Sequence, residues 1–449
     1  MLGEQKLKQI TKKVLSYTKA DEAEVLLFVS DNGLTRFANS QIHQNVASED
    51  LGLSVRAVFM SKSGARIGVA SGNSFDDSAL KDAAKRAVAL ARIQKEDPDF
   101  VGLPKKQKTK YLKLNTKQAT ADERAKAVSI IIKQAKEKGI IASGAYDSSI
   151  SEVAVANSNG VFAYHIAGAS DLSTILLGKD STGFGTSLAK DPKNVDSEKV
   201  AKQALDKALG GAKPKDLKPG VYEVILEPQA VNEMISFFAW LGPNARLYHE
   251  KASNFSGKLG KKVFGKNITI VDDPLDQTGF PMPFDFEGYP KQKLEIIKNG
   301  VLKNLVYDSY HANKYKAKNT GHALPAPNTS GPIPLHLRLE PGKKSLEQMI
   351  KGVKKGLLVT RLWYVRFLNP RSMAITGMTR DGTFLIENGK IKGAVRNLRF
   401  NQSIPEALNN VVAIGKDLEN LASWETELGT NKMPALHIKK WNFTSSTEF

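Results

Sequence analysis

Two histidines and a set of carboxylates in the second half of this 449-residue chain are the residue types most able to do chemistry. His311 precedes, and His322 lies within, the phrase Asn319-Thr320-Gly321-His322-Ala323, while Asp272, Asp273, Asp285 and Glu287 lie upstream in two short acidic phrases. Imidazole and carboxylate together can hold a metal ion or move a proton. The plainer reading is that Asp-Asp-Pro and Asp-Phe-Glu-Gly are turns whose carboxylates cap backbone amides. His249-Glu250 opens like a helical zinc motif, but Lys251 to Phe255 contain no second His, so a solvated loop pair is expected. In the first half, Arg36 and His43 lie among the side-chain amides of Asn39, Gln41, Gln44 and Asn45. Such groups can hydrogen-bond an extended peptide at a strand edge, or simply fill polar positions on a half-exposed strand. Trp363-Tyr364 with Arg361 and Arg366 has the make-up of an interface anchor, with buried strand packing as the alternative. The absence of cysteine excludes disulfides and thiolate metal sites. No Gly-rich phosphate loop and no serine nucleophile elbow is present.

Bulk properties narrow the class. Sixty-five basic residues against 46 acidic give a net charge of +19. Lysines gather at Lys105, Lys106, Lys108, Lys110 and Lys113, and again at Lys258, Lys261, Lys262 and Lys266. No aromatic residues are interleaved as a base-stacking platform, and no helix-turn-helix or zinc-finger spacing occurs, which argues against a nucleic-acid partner. Solvated surface is the expected role of these lysines, with an acidic partner next. A hydrophobic content of 41% is enough for a sizeable core. No apolar run reaches the roughly 18–20 residues needed to cross a bilayer. Leu7, Ile10, Val14 and Leu15 space like one face of a helix without the apolar run of a secretory signal, so a cytoplasmic protein with no membrane partner is expected.

The elements that must position these residues read as α+β: an N-terminal mixed α/β domain, then a β-rich C-terminal domain with a few helices. Strands are expected at Glu24–Ser30, and after an Asp31-Asn32-Gly33 turn at Leu34–Ala38, with further strands at Leu53–Phe59 and Ala65–Ala70. Helices are expected from Ser74 to about Gln94, from the capping box Thr120-x-x-Glu123 to Gly139, and over Ser197–Leu209. Between the last two, Val153–Asn157, Val161–Ile166 and Asp171–Gly178 form a strand meander. Residues 211–220, GAKPKDLKPG, read as a linker, giving units 1–210 and 221–449. The second opens with strand Gly220–Leu226 and a helix from Glu227 with Pro228 at its first position. Shorter helices follow at Ser345–Lys355 and Ser403–Ile414.

Several phrases carry a resemblance: SNFSGKLG at Ser253–Gly260, ITIVDDP at Ile268–Pro274, FDFEG at Phe284–Gly288 and FLIENGKI at Phe384–Ile391. With LTRFANSQIHQN at Leu34–Asn45 and LEIIKNGVLKNLVYDSYHA at Leu294–Ala312, they follow an order over some 400 residues that resembles the TldD/PmbA family. That family is known as modulators of DNA gyrase and as zinc proteases. The resemblance implies that the metal-bearing branch carries His-Glu-x-x-x-His on a helix about twenty residues before the FSG phrase, completed by a distant Cys. Here that stretch reads Ser236-Phe237-Phe238-Ala239-Trp240-Leu241, and there is no Cys. The resemblance therefore implies a TldE/PmbA-type subunit with no catalytic or metal residues of its own. Zinc would come from a TldD-like partner in a heterodimer, or the chain would form a homodimer, with unfolded or short peptides as substrate. Arg36, His43, Asp285, Glu287, His322 and Trp363 are the residues expected to meet peptide or partner. Two alternatives stay open: a hydrolase built from His249, His311, His322 and the acidic loops, and a binding module for an acidic partner such as a gyrase-linked complex.

Overall fold

The computed structural model describes every residue except 111, 113, 115, 423–428 and 448–449, so Lys113 of the first basic tract lies outside the described residues. The first half is one antiparallel six-stranded sheet in the order β3-β2-β1-β4-β5-β6. Its strands are β1 (Glu22–Ala38), β2 (Gln41–Met60), β3 (Ala65–Gly72), β4 (Ile141–Asn157), β5 (Phe162–Leu177) and β6 (Thr182–Ala189). Four helices accompany it: α1 (Glu4–Tyr17), α2 (Asp77–Ile93), α3 (Ala121–Glu137) and α4 (Ser197–Gly210).

Strand alternation sorts this sheet into two faces. Val25, Leu27 and Val29 of β1 pack with Leu7, Ile10 and Val14 of α1 and with the alanine stripe Ala83, Ala87 and Ala91 of α2. Phe37, further along the same face, packs with Val128 and Ile131 of α3 and Val200 and Ala204 of α4. Gly68 lets α2 lie against β3, because a Cβ there would sit 2.3 Å from the Ala87 carbonyl oxygen and from the Ala91 nitrogen. On the opposite face, Leu26, Val155 and Ala163 join the largest core of the molecule, which belongs mainly to the second half.

That half begins with β7 (Gly220–Leu226) and α5 (Pro228–Leu241). Strand β7 lies between strands Lys355–Asn369 and Leu436–Ser446, and the ladder continues through Leu398–Ser403 to Ala374–Glu387. Pairing of Ala374–Glu387 back onto Lys355–Asn369 closes these five strands into a ring. A second six-stranded sheet carries the short strand Ile270–Asp272 at its centre, beside Leu337–Leu339 and Leu294–Lys298. The α+β class and the β-rich second half are as the sequence predicts.

Three local expectations are corrected. Asp31-Asn32-Gly33 makes no turn: β1 runs through it, and the chain reverses at Asn39 and Ser40, whose φ angles are 50° and 59°. The helix expected over Ser403–Ile414 covers Ile404–Asn409, after which Val411–Ile414 joins strand Leu436–Ser446. The helix expected over Ser345–Lys355 ends at Lys351, where Gly352 caps it and Lys355 enters the ring. In the first case the apolar run Val411–Ile414 is taken by a sheet partner, a tertiary override of local propensity, and in the second the glycine ends the helix.

Candidate functional site

The acidic phrases and the histidines meet where the two halves join. Asp285 closes its own loop: one carboxylate oxygen accepts the N–H groups of Glu287 at 3.0 Å and Tyr289 at 2.9 Å. The other oxygen accepts the N–H of Ala323 at 3.0 Å, fastening this loop to the NTGHA phrase. This is the turn-capping role the residue types suggested. Burial and the neighbouring Glu287 push the Asp285 carboxyl well above the ordinary range, against the pull of those three N–H groups.

Glu287 reaches across to the first half. Its carboxylate accepts from Arg56 at 3.2 Å and, through its other oxygen, from the Ser309 N–H at 3.3 Å. Arg56 of β2 also binds Glu24 at 2.8 Å, its direct cross-strand neighbour on β1. One guanidinium thus ties the sheet to the second half through two buried carboxylates. Burial pushes Glu24 up to about 7, although Arg56 opposes the shift.

A second polar knot lies behind the first. Asp272 accepts the His336 N–H at 2.8 Å and lies 3.2 Å from His322 Nε2, while His322 Nδ1 lies 2.9 Å from the Thr320 hydroxyl. Burial pushes the Asp272 carboxyl up, but His322, Lys291 and His336 together hold it well below the ordinary range. Burial lowers the Lys291 ammonium, with Asp272 and Asp285 opposing, and burial with Lys291 lowers His336 to about 3.

On the solvent side of Glu287 is a cleft of about 600 Å³ lined by Arg56, Glu287, Asp308, Tyr310, His311 and Lys314, among others. Asp308 caps the helix Ser309–Lys314 by accepting the His311 N–H at 2.7 Å, and the same carboxylate binds His311 Nδ1 at 2.7 Å. An imidazole oriented through Nδ1 by a carboxylate presents Nε2 for proton transfer or ligand binding. His249 ends the short helix Ala245–His249, so its loop reading is corrected; it stacks on Tyr315 at 3.9 Å and lies 3.0 Å from the Tyr307 hydroxyl.

The sequence-derived candidates fall in three places. Asp285, Glu287 and His322 gather at the junction. Arg36 and His43 lie far out on the β1–β2 hairpin, where Arg36 pairs with Gln44. Trp363 is 42% exposed, with the guanidinium groups of Arg361 and Arg380 at 4.8 and 5.1 Å from its ring. Tyr364 is 62% exposed and Leu368 55%, while Arg361, Leu362 and Val365 of the same strand are buried, so the segment is part surface and part buried strand. Sequence reasoning missed Glu24, Arg56, Lys291 and His336, whose partners are distant in the chain. Asp308 was open to detection, since Asp-Ser-x-His is a helix-capping pattern.

Helix α5 is buried almost along its whole length. Phe238 packs on Phe255 and Phe264, with ring centroids 6.0 and 5.9 Å away, and Phe237 meets Phe367 edge-on at 4.7 Å. Its buried polar residues are Asn232, Glu233 and Ser236. Asn431, from the strand Thr430–Met433, donates to Asn232 Oδ1 at 2.9 Å and to the Ser236 hydroxyl at 3.4 Å. Asn232 in turn donates to the Ala422 carbonyl, and Asn431 accepts the Leu337 N–H.

Comparison with known proteins gives this architecture its class. Three family models match in order along the chain: PmbA/TldA metallopeptidase domain 1 over residues 23–91, the central domain over 99–211 and the C-terminal domain over 219–445. The scaffold is therefore that of a metallopeptidase. The chain belongs to the PmbA/TldD metallopeptidase family. It is 27% identical to a metalloprotease PmbA homolog of Haemophilus influenzae over 94% of both chains. It is 30% identical to the metalloprotease PmbA of Escherichia coli O157:H7 over 193 residues, 42% of this chain and 40% of that one. The crystal structure of TldE from Thermococcus kodakarensis superposes with a TM-score of 0.86 at 23% identity, over 98% of this chain and 100% of that chain.

A metallopeptidase family implies a metal, and the residues of α5 do not fit one. Zinc takes imidazole, thiolate or carboxylate donors. Helix α5 has one buried carboxylate, Glu233, and no imidazole or thiolate, and the stripe that meets the C-terminal strand offers amide and hydroxyl groups bonded to one another. Among the described residues no group of three or more His, Asp or Glu is placed to hold a metal ion. None of their helices is long and apolar enough to cross a membrane.

Proposed function

We propose that this chain is the metal-free subunit of a TldD/TldE-type zinc metallopeptidase complex acting on unfolded or short peptides. The observation that carries this reading is the amide–hydroxyl knot of Asn232, Ser236 and Asn431. It joins α5, where the family resemblance places the metal motif, to a strand near the C-terminus, where that resemblance places the missing Cys. Units 1–210 and 221–449, linked by 211–220, supply walls and peptide contacts, while zinc and the general base reside in a TldD-like partner. Trp363, Tyr364 and Leu368, with nearby arginines, form the partner-facing surface, a composition suited to an interface anchor. Asp285, Glu287 and His322 hold the junction loops in shape, and Arg36 and His43 present the polar hairpin. The test is metal stoichiometry of the chain purified alone after growth in zinc, followed by peptidase assays with and without a TldD-like chain. Near-zero zinc, and activity that rises only on co-expression, are expected. One tightly held zinc per chain, or a partner equally active alone, overturns the reading.

A second reading rests on the Asp308–His311 pair at the cleft: a hydrolase in its own right, with His311 as general base. It requires that the chain alone cleave peptides and that His311→Gln abolish the cleavage.

A further inference from the structure

Strand β3 is the outermost strand of the first sheet, and among the described residues β2 is its one strand neighbour. Its other edge is bonded at both ends. The Ala65 N–H donates to the Asp97 carbonyl at 3.0 Å, and the Asp97 N–H donates to the Ala65 carbonyl at 2.8 Å. Six residues on, the Ser71 carbonyl accepts from Arg86 Nη2 at 2.8 Å. Backbone groups point to alternate sides along a strand, so Ile67 and Val69 also turn their N–H and C=O away from β2. None of these four groups has a hydrogen-bond partner among the described residues.

Ile67, Gly68 and Val69 line the cleft of about 600 Å³ at the junction of the two halves. The charged groups of that cleft are already matched. Arg56 pairs with Glu24 and Glu287, Arg246 with Glu250, Lys314 with Asp99, and Asp308 with His311, while Asp97 accepts from the Tyr310 hydroxyl at 3.3 Å. A charged small molecule therefore finds no free counter-charge there. What the cleft leaves unmatched is backbone, beside the apolar side chains of Ile67, Val69, Leu90 and Leu324.

We propose that this edge of β3 takes up a short, uncharged, extended stretch of peptide as an added antiparallel strand. A peptide residue opposite Ile67 exchanges two hydrogen bonds with it, and the residue two places along exchanges two more with Val69. An extended backbone carries donors and acceptors at that same alternate spacing. Length selects the occupant further: Asp97 closes one end of the edge and Arg86 the other, so a few residues fit where a long strand of a folded protein does not. Alternate side chains of the peptide meet the apolar lining, which favours residues without charge. The inference rests on the reading above, that this chain supplies peptide contacts, and says where one of them is made.

The experiment is calorimetric titration of the full chain, alone and without zinc, with the capped peptide acetyl-Thr-Val-Thr-Val-amide. Binding is expected. Methylating the backbone nitrogens of one alternate pair, either both Thr or both Val, should weaken it on the order of tenfold or more, because two of the bonding donors are lost, while methylating the other pair has little effect. Val69→Pro removes an N–H that points away from β2, a placement an edge strand tolerates, and should weaken binding on the same order. Hydrogen exchange of the unaltered chain, read by mass spectrometry over Ala65–Gly72, needs no substitution and should slow when peptide is added. No binding, binding indifferent to both methylation patterns, or unchanged exchange overturns the proposal. So does exchange that slows with protein concentration alone, which assigns the edge to a second copy. Metal content and activity on co-expression are separate readouts, so this inference and the function proposed above fail independently.

Discussion

Arg56 is the residue on which the junction turns, because it neutralises Glu24 and Glu287 at once. Removing one member of a buried ion group strands the others in low dielectric, so Arg56→Met is expected to destabilise by about 3–5 kcal/mol. Urea unfolding measures this. The same group gives stability a pH dependence. Glu24 sits at about 7 in the folded protein against an ordinary 4.5, so over that interval the folded state keeps a proton the unfolded chain has lost. Its contribution is full below about pH 4.5 and is lost as pH rises toward 7. Glu24→Gln should flatten that decline when urea midpoints are compared at acid and neutral pH. Asp272 acts in the opposite sense: its carboxyl is depressed, so its contribution is present above the ordinary carboxylate range and is lost as pH falls into acid. At the amide knot, Asn431→Ala leaves the Leu337 N–H and Asn232 without their partner, at a cost of about 1–3 kcal/mol.

Helix α5 and the β1–β2 hairpin show how elements carry the argument. Helix α5 keeps the Pro start expected for it, and its buried surface is largely aromatic and aliphatic carbon. Phe238→Ala opens a cavity between Phe255 and Phe264, and a loss of about 3–5 kcal/mol in thermal or urea unfolding is expected. In the hairpin, Asp31-Asn32-Gly33 has the residue types of a turn, and local chemistry alone would bend the chain there. The ladder to β2 on one side and β4 on the other keeps it straight, and the glycine makes room for the Arg124 guanidinium of α3. Capping boxes form at Thr120 and Ser345, each settled within four residues, whereas the start expected at Ser74 moves to Asp77, with Asp76 before it and no side-chain cap.

For the whole molecule, the two halves share one core as well as an ion bridge. Leu26, Val155 and Ala163 of the first half are buried against the second, and Lys207 of α4 pairs with Glu227 at the start of α5. A charge-removing change at Arg56 should therefore loosen the junction before either half unfolds, seen as faster proteolysis at 211–220 in limited digestion of the Arg56→Met protein. Sequence by itself determined the α+β class, most helix starts, the family resemblance and the lack of cysteine, since each rests on residue type or on spacing within a few positions. Tertiary structure alone decided that Glu287, two residues past the turn-capping Asp285, bridges to Arg56. It also decided that Asn232, Ser236 and Asn431 converge, and that β2 begins with an open edge before β3 joins it at Leu53. These depend on contacts between residues dozens to hundreds of positions apart, which no local pattern encodes.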